Sequence, residues 1–410
     1  ARGDALFPHL ACHDTEAQRQ LAALNTRVDS YLADYPTVLN ILWRTRRVRA
    51  AGEAFFARHP LAWGVNLGCG LSHYFQWLDQ GRNTWLDADL PEGVTLTSIS
   101  TEQARALGVP APQDRTAALA VAHTDHSGGV MHLQVPADTV VHDPIKLRFV
   151  GSHSERVWGH LVVSLGAHNR STVVLEHEGT ARLSEVVSTL VGTGAQTTLV
   201  TLQEWSDDTV HAAQHDVVVG RDANVRHVAV TLGGRVVRVC TNITYAGPGG
   251  SAEAFGVYFA DAAQHLEHRL FADHSAPHCS SHVEYKGALQ GDTARTVWVG
   301  DVLIRASAEG TQTYELNRNL LLTDGARADS VPNLEIETGQ IVGAGHASAT
   351  GRFDDEQLFY LQARGIPEAE ARRLVVRGFF ADIINRIPVA DLQGHLMQAV
   401  ERELAGAAPA

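Results

Sequence analysis

Hydrophobic positions fall into three regimes along the chain. Over residues 14–58, Leu21, Leu24, Val28 and Leu32 recur at spacings of three and four, the period of an amphipathic helix. Trp63-Gly64-Val65-Asn66-Leu67 and Thr84-Trp85-Leu86 then read as two short buried strands. From about 115 to 345 the pattern changes to short β-branched runs broken by glycine-rich corners. The runs include 172–175, 198–202, 217–219, 225–230, 296–299, 302–304 and 320–322, and helical segments are almost absent. After Asp354 the helical period returns.

A small residue recurs at corners of the middle region: Ala195, Ala223, Ala252, Ala294 and Ala326. The first three lie 28 and 29 residues apart, and the last two 32 apart. That loose period fits a β-solenoid whose coils each contribute more than one strand and stack on their neighbours. A β-sandwich has similar strands but less reason for recurring small corners. A solenoid leaves sheet edges at its ends, which a helical cap or a partner must cover. The C-terminus supplies helices. Asp354, with Gln357 three residues on, is a capping-box-like start, and Gly365 is a stop. Pro367 suits the first turn of a second helix, with Ala371, Leu374, Val375, Phe379 and Ile383 on its inward face. A third helix follows Pro388, with Leu392, Leu396, Val400 and Leu404 inward. The expected organisation is 1–91, 92–352 and 353–410.

At 410 residues, 44% hydrophobic and 19% charged, the chain has ample core material for a soluble globular protein. Its net charge of −13, with no basic stripe, argues against nucleic acid or an anionic membrane as partner. No apolar run approaches the roughly 20 residues of a membrane span and no signal peptide is evident, so a cytoplasmic location is expected. Cys12, Cys69, Cys240 and Cys279 have no paired CxxC spacing and read as reduced thiols. His265, His268, His274, His278, Cys279 and His282 are the right types for zinc or iron but lack a zinc-finger spacing. Cys12 with His9 and His13 is a weaker group. There is no Walker motif, GxSxG or HExxH, so the chain is not expected to hydrolyse ATP or to be an enzyme.

The string VNLGCGLSHYFQWLDQGRNTWLDADLPE joins a strand, a glycine turn and a second strand ending in acid. Gly68 and Gly70 would let a nucleotide approach the backbone, and Asp87 and Asp89 would accept from ribose hydroxyls. With Arg44-Thr45-Arg46 upstream, the string resembles the opening half of S-adenosylmethionine-dependent O-methyltransferases of the leucine-carboxyl-methyltransferase type. The later βα units of that family are missing after residue 92, so the segment reads as truncated and its S-adenosylmethionine site as vestigial. A natural fusion and a constructed joint would look alike.

Further on, Asn317-Arg318-Asn319-Leu320-Leu321-Leu322, Pro332-Asn333-Leu334-Glu335-Ile336, Gly345-His346-Ala347 and Leu358-Phe359-Tyr360-Leu361 occur in order. They resemble the core of the SufB/SufD family of iron–sulfur cluster assembly scaffolds, and the SufD side of it, over about 93–388. The resemblance implies a right-handed parallel β-helix with a C-terminal helical domain. It implies a non-catalytic scaffold that pairs with SufB, docks the ATPase SufC and shares a transient iron–sulfur cluster. A homodimer could stand in without SufB. His346 would then lie near the SufB interface where the cluster forms. Many relatives carry cysteine two positions earlier, where this chain has Ala344. SufB carries a cluster-forming cysteine in the segment matching Arg318 to Gly325, and this chain has Thr323 there, so it is not expected to be the principal sulfur acceptor. Phe359, Tyr360, Arg364, Phe379 and Phe380 would form the surface toward SufC, some of them packing the helices instead. The alternatives are methyl transfer by residues 1–91 and a generic β-helix binding or polysaccharide-active protein. The last lacks a ladder of catalytic groups.

Overall fold

The computed structural model describes residues 48–58, 63–67, 84–124, 129–353 and 355–406. The positions from Leu21 to Leu32, Arg44 to Arg46, Cys12, Cys69, and the glycine turn at Gly68 and Gly70 lie outside them. A helix covers 48–58. Strands β1 (Trp63–Leu67) and β2 (Thr84–Asp89) pair in parallel. β2 then pairs antiparallel with the start of β5 (Ile145–Leu165), with Asp87 opposite Arg148 and Asp89 opposite Lys146. A methyltransferase sheet would continue here with parallel strands from further βα units. In this chain the strand bearing both acids is hydrogen-bonded into the sheet of the body instead.

β3 (Thr95–Ile99) pairs antiparallel with β4 (Val130–Val135), and from β4 onward the body winds as parallel coils. Each coil lays one strand in each of two sheets. The first sheet runs through the starts of β5 and β6 (Arg170–Val191), then β7 (Gln196–Trp205), β9 (Asn224–Thr231) and β11 (Ser251–Asp261). It ends with β13 (Ser280–Gln290), β15 (Gln312–Leu321) and β17 (Gly343–Arg352), which makes eight parallel strands. The second sheet runs through β4 and the ends of β5 and β6 to β8 (Val210–Val219) and β10 (Val236–Tyr245). It ends with β12 (His265–His274), β14 (Arg295–Ile304) and β16 (Arg327–Ile336). This is the mainly β, parallel solenoid that the corner spacing predicts.

β6 serves both sheets because it bends at Gly179, whose φ is +81°. A Cβ at that position would collide with the Gly151 carbonyl oxygen of the neighbouring coil, so only glycine closes this corner. The corner alanines separate into two stacks. Asn224 N donates to Ala195 O and Ser251 N to Ala223 O, so Ala195 and Ala223 share one stack, in which the next coil places Gly250 rather than Ala252. Ala294 and Ala326 stack at a corner of the second sheet, where Arg327 N donates to Ala294 O. The apparent single period of 28–32 residues therefore merges two corners.

Side chains from both sheets meet in the lumen, where Leu133, Leu147, Leu175, Leu266, Tyr258, Tyr285 and Trp298 are fully buried. The outer face of the first sheet is also apolar, because helices cover it. This is why 198–202 reads as an unbroken hydrophobic run rather than an alternation. Short helix α1 (Thr101–Ala106) carries a capping box between Ser100 and Gln103. Helix α2 (Arg115–His123) lies on the second sheet, with Ala117 and Ala120 against Val186. α2 corrects the expectation that helix is almost absent between 115 and 345. At the C-terminus follow α3 (Asp355–Gln362), α4 (Glu368–Ile384) and α5 (Ala390–Gly406). Gly365 is the left-handed stop after α3, with φ +84°, and Pro367 sits at the N-cap of α4, one position before its first turn. The inward face of α4 is Ala371, Val376, Phe380, Ile383 and Ile384, whereas Leu374 is exposed and Phe379 half-buried. α5 buries Leu392, Leu396 and Val400, with Leu404 partly covered, as expected.

Candidate functional site

The two ends of the solenoid differ. At the first coils, antiparallel β2 and β3 continue the two sheets, and β1 adds to β2. At the last coils, β16 pairs only with β14 and β17 only with β15 among the described residues. Their outer edges carry unpaired backbone groups. Val331 and Ile336 of β16 are 45% and 44% exposed, and Val342, just before β17, is 71% exposed, high for aliphatic side chains.

Alternation along β15 turns Thr313, Glu315, Asn317 and Asn319 into the lumen, and all four are buried. The register lays β17 over them, with His346 beside Glu315, Ser348 beside Asn317 and Thr350 beside Asn319. The two asparagines are fully engaged. Asn317 Nδ2 donates to Tyr258 Oη at 2.9 Å, and that hydroxyl donates to Asn319 Oδ1 at 2.7 Å. Asn319 Nδ2 donates to Asn317 Oδ1 at 2.8 Å, while Ser330 of the opposite sheet donates to the same oxygen. This network ties the two sheets together where the lumen opens.

Glu315 is different. Its side chain is 1% exposed, and neither carboxyl oxygen has a hydrogen-bond partner. His346 Nδ1 stands 3.7 Å from Oε1, beyond hydrogen-bonding reach, and the imidazole is 43% exposed. Burial, with the nearby Asp301 charge, pushes the Glu315 carboxyl up to about 8. Gly300 makes the room, because a Cβ there would strike both Glu315 Oε2 and the Trp298 ring. The Trp298 indole N–H is buried and unpartnered as well. An acid, an imidazole and an indole donor with unused capacity thus converge at the open mouth of an apolar tube. A carboxylate and a neutral imidazole are ligands for iron, and Glu315 would have to give up its proton to serve as one.

The other expected groups fall as follows. Phe359 and Tyr360 on α3 are 71% and 56% exposed, and they line a shallow groove of about 570 Å³ with Glu356 and Ala363. The Arg364 guanidinium lies 4.4 Å over the Tyr360 ring. Phe379 is half-buried with Lys286 Nζ 5.4 Å over its ring. Phe380 is a correction: at 0% exposed, packed with Phe255 and Phe259, it belongs to the core and offers nothing to a partner. The histidines from 265 to 282 do not converge. His268 and His274 point inward six positions apart on β12, about 20 Å along a strand. They bond Thr231 Oγ1 at 3.0 Å and Ser281 Oγ at 2.9 Å, while His282 lies outside, stacked with Tyr314. Cys279 is buried with Sγ donating to the carbonyls of Gly247 and Pro277, and burial pushes the Cys240 thiol up to about 11. Neither is a ready thiolate. Glu315, which no sequence signal marks, is the functional candidate that the residue pattern alone misses. No helix among the described residues is long and apolar enough to cross a membrane.

Residues 149–379 match the family model described as the SUF system FeS cluster assembly SufBD core domain. An iron–sulfur cluster assembly SufBD family protein of Mycobacterium bovis is 54% identical over 300 residues, covering 72% of this chain and 75% of its own length. A second, from Mycobacterium leprae, is 51% identical over 300 residues, covering 72% of this chain and 76% of its own. The iron–sulfur cluster assembly protein SufD of Bacillus subtilis is 25% identical over 306 residues, covering 72% and 68%. With more than half of its length matched by the core model, this chain belongs to the SufBD family, whose work is iron–sulfur cluster assembly.

Proposed function

We propose that the chain is a SufD-type scaffold subunit: it pairs end to end with a SufB-type partner through β16 and β17 and helps build the cluster at that junction. The observation that carries this reading is the asymmetry of the ends. At one end antiparallel strands continue the two sheets, whereas at the other, among the described residues, the parallel strands stop at two unpaired edges around an unsatisfied polar mouth. A partner that continues both sheets would satisfy the backbone, cover Val331, Ile336 and Val342, and bring its own thiolate to His346 and Glu315. Iron and sulfide are here the material being assembled, and ATP hydrolysis belongs to a SufC-type partner docked at Phe359, Tyr360 and Arg364. The reading includes a reducing compartment, which the free thiols Cys240 and Cys279 fit.

Mixing the purified chain with a SufB-type and a SufC-type protein, followed by size-exclusion chromatography, tests the pairing. Val342→Lys places a charge on the open edge and should prevent co-elution with the SufB-type protein while leaving the thermal midpoint unchanged. Co-elution of the variant at the wild-type level would move the interface elsewhere.

A further inference from the structure

Along the outer face of the second sheet, arginines stand beside acids. Arg238 pairs with Asp114 and Glu267, Arg269 with Glu267, and Arg295 and Arg327 with Asp329. At the first coils this pairing fails. Arg156 on β5 and Arg182 on β6 are in-register neighbours on adjacent strands, and both are exposed. Arg235, also exposed, lies two strands further on, just before β10. Among the described residues, none of these three side chains has an ion pair or a hydrogen bond. Neighbouring strands are about 4.8 Å apart, and like charges directly opposite each other repel. An anion between the two guanidiniums would reverse that repulsion.

The three arginines rim a groove of about 440 Å³ between the sheet and α2. Its floor is Trp158, Ser184 and Ala212, in register across β5, β6 and β8. Its wall is Thr116 and Leu119 of α2, and Leu119 is 40% exposed. Both hydroxyls are already used: Ser184 Oγ donates to Thr116 O at 2.9 Å, and Thr116 Oγ1 donates to Asp114 Oδ1 at 2.6 Å. His123 stacks on Trp158 at 4.8 Å and holds the indole in place. The groove is therefore apolar inside and cationic at its rim, and among the described residues no acid lines it.

We propose that this groove binds a small molecule that joins a flat apolar body to a phosphate group. The slot between Trp158 and Leu119 takes the body, and Arg156 and Arg182 grip the phosphate, with Arg235 at the far rim. A guanidinium is a planar fork of donors that matches phosphate oxygens. A phosphate monoester carries close to two negative charges at neutral pH, so it answers three cations better than a single carboxylate does. The volume falls within the range of small-ligand sites, and α2 closes one side of the slot. The chain's net charge of −13 opposes anions at long range, so the attraction is local and weakens with salt. This groove lies at the opposite end of the solenoid from His346 and α3, so the proposal stands apart from that reading.

The full chain is titrated calorimetrically at low salt with 1-naphthyl phosphate, 1-naphthol and inorganic phosphate. One-to-one binding of 1-naphthyl phosphate is expected, with either half-molecule at least about tenfold weaker. The double variant Arg156→Gln, Arg182→Gln should weaken binding by about 10–100-fold. Leu119→Glu, which puts a carboxylate into the slot, should abolish it. Arg352→Gln, at an exposed arginine of the open end, should leave it unchanged. If Leu119→Glu disturbs α2, the double variant carries the test, because both of its side chains are exposed. Absence of binding by the wild type, equal affinity for 1-naphthol, or undiminished affinity in the folded double variant would overturn the proposal. So would saturation by poly-glutamate with no response to 1-naphthyl phosphate, which would assign the arginines to an acidic protein surface.

Discussion

Glu315 holds its proton because nothing helps it to ionise: it is buried, both oxygens lack hydrogen bonds, and the charge of Asp301 opposes a second negative charge. Its folded-state value of about 8 lies above the ordinary 4.5, so the unfolded chain releases this proton first as pH rises. The stabilisation from the neutral, buried form is complete below about 4.5 and is lost as pH climbs through about 8. Glu315→Gln copies that neutral form. Its thermal midpoint should match the wild type at about pH 5 and exceed it at about pH 9, and an equal difference at both would mean that Glu315 does not titrate in this window. Gly300→Ala tests the same spot sterically. The added methyl meets Glu315 and Trp298 together, so a loss of about 1–3 kcal/mol in chemical denaturation is expected. His346 was legible in the sequence because it sits in an ordered set of motifs. Glu315 was not, because its meeting with Trp298 and Gly300 comes from coil stacking. Gly300 and Glu315 are 15 positions apart, and nothing in either local string marks the other.

Helix α4 shows where periodicity runs out. Its apolar positions 371, 374, 375, 376, 379, 380, 383 and 384 span more than one face, so several inward stripes satisfy the sequence equally. The choice is made by the outer face of the first sheet, where Phe255, Val257 and Phe259 receive Phe380, Ile383 and Ile384. Phe380→Ala should therefore cost about 3–5 kcal/mol in chemical denaturation, and Phe379→Ala, half-buried under Lys286, clearly less. Phe359→Ala on α3 should leave the thermal midpoint in place while weakening binding of a SufC-type ATPase in a calorimetric titration. A large stability loss there would return α3 to a purely packing role. α5 was read correctly because its buried positions 392, 396 and 400 form a single stripe. α2 was missed because only two alanines, Ala117 and Ala120, are fully buried on it.

Across the whole molecule, alternating β-branched runs and small corners were enough to foresee a solenoid. The sequence did not separate its two corner stacks, since their alanines interleave at similar spacing. Nor did it foresee that β2 joins the body antiparallel, a pairing made between segments about 60 residues apart. In the proposed function, His346 and its neighbours at the open end contribute to building the cluster there. The most direct measurement is the yield of iron–sulfur cluster, by absorbance and iron and sulfide content, in a reconstituted complex of this chain with SufB-type and SufC-type proteins. His346→Ala should leave complex formation and the thermal midpoint intact and sharply lower that yield. Wild-type yield from the intact variant complex would make His346 a structural residue with no part in cluster assembly.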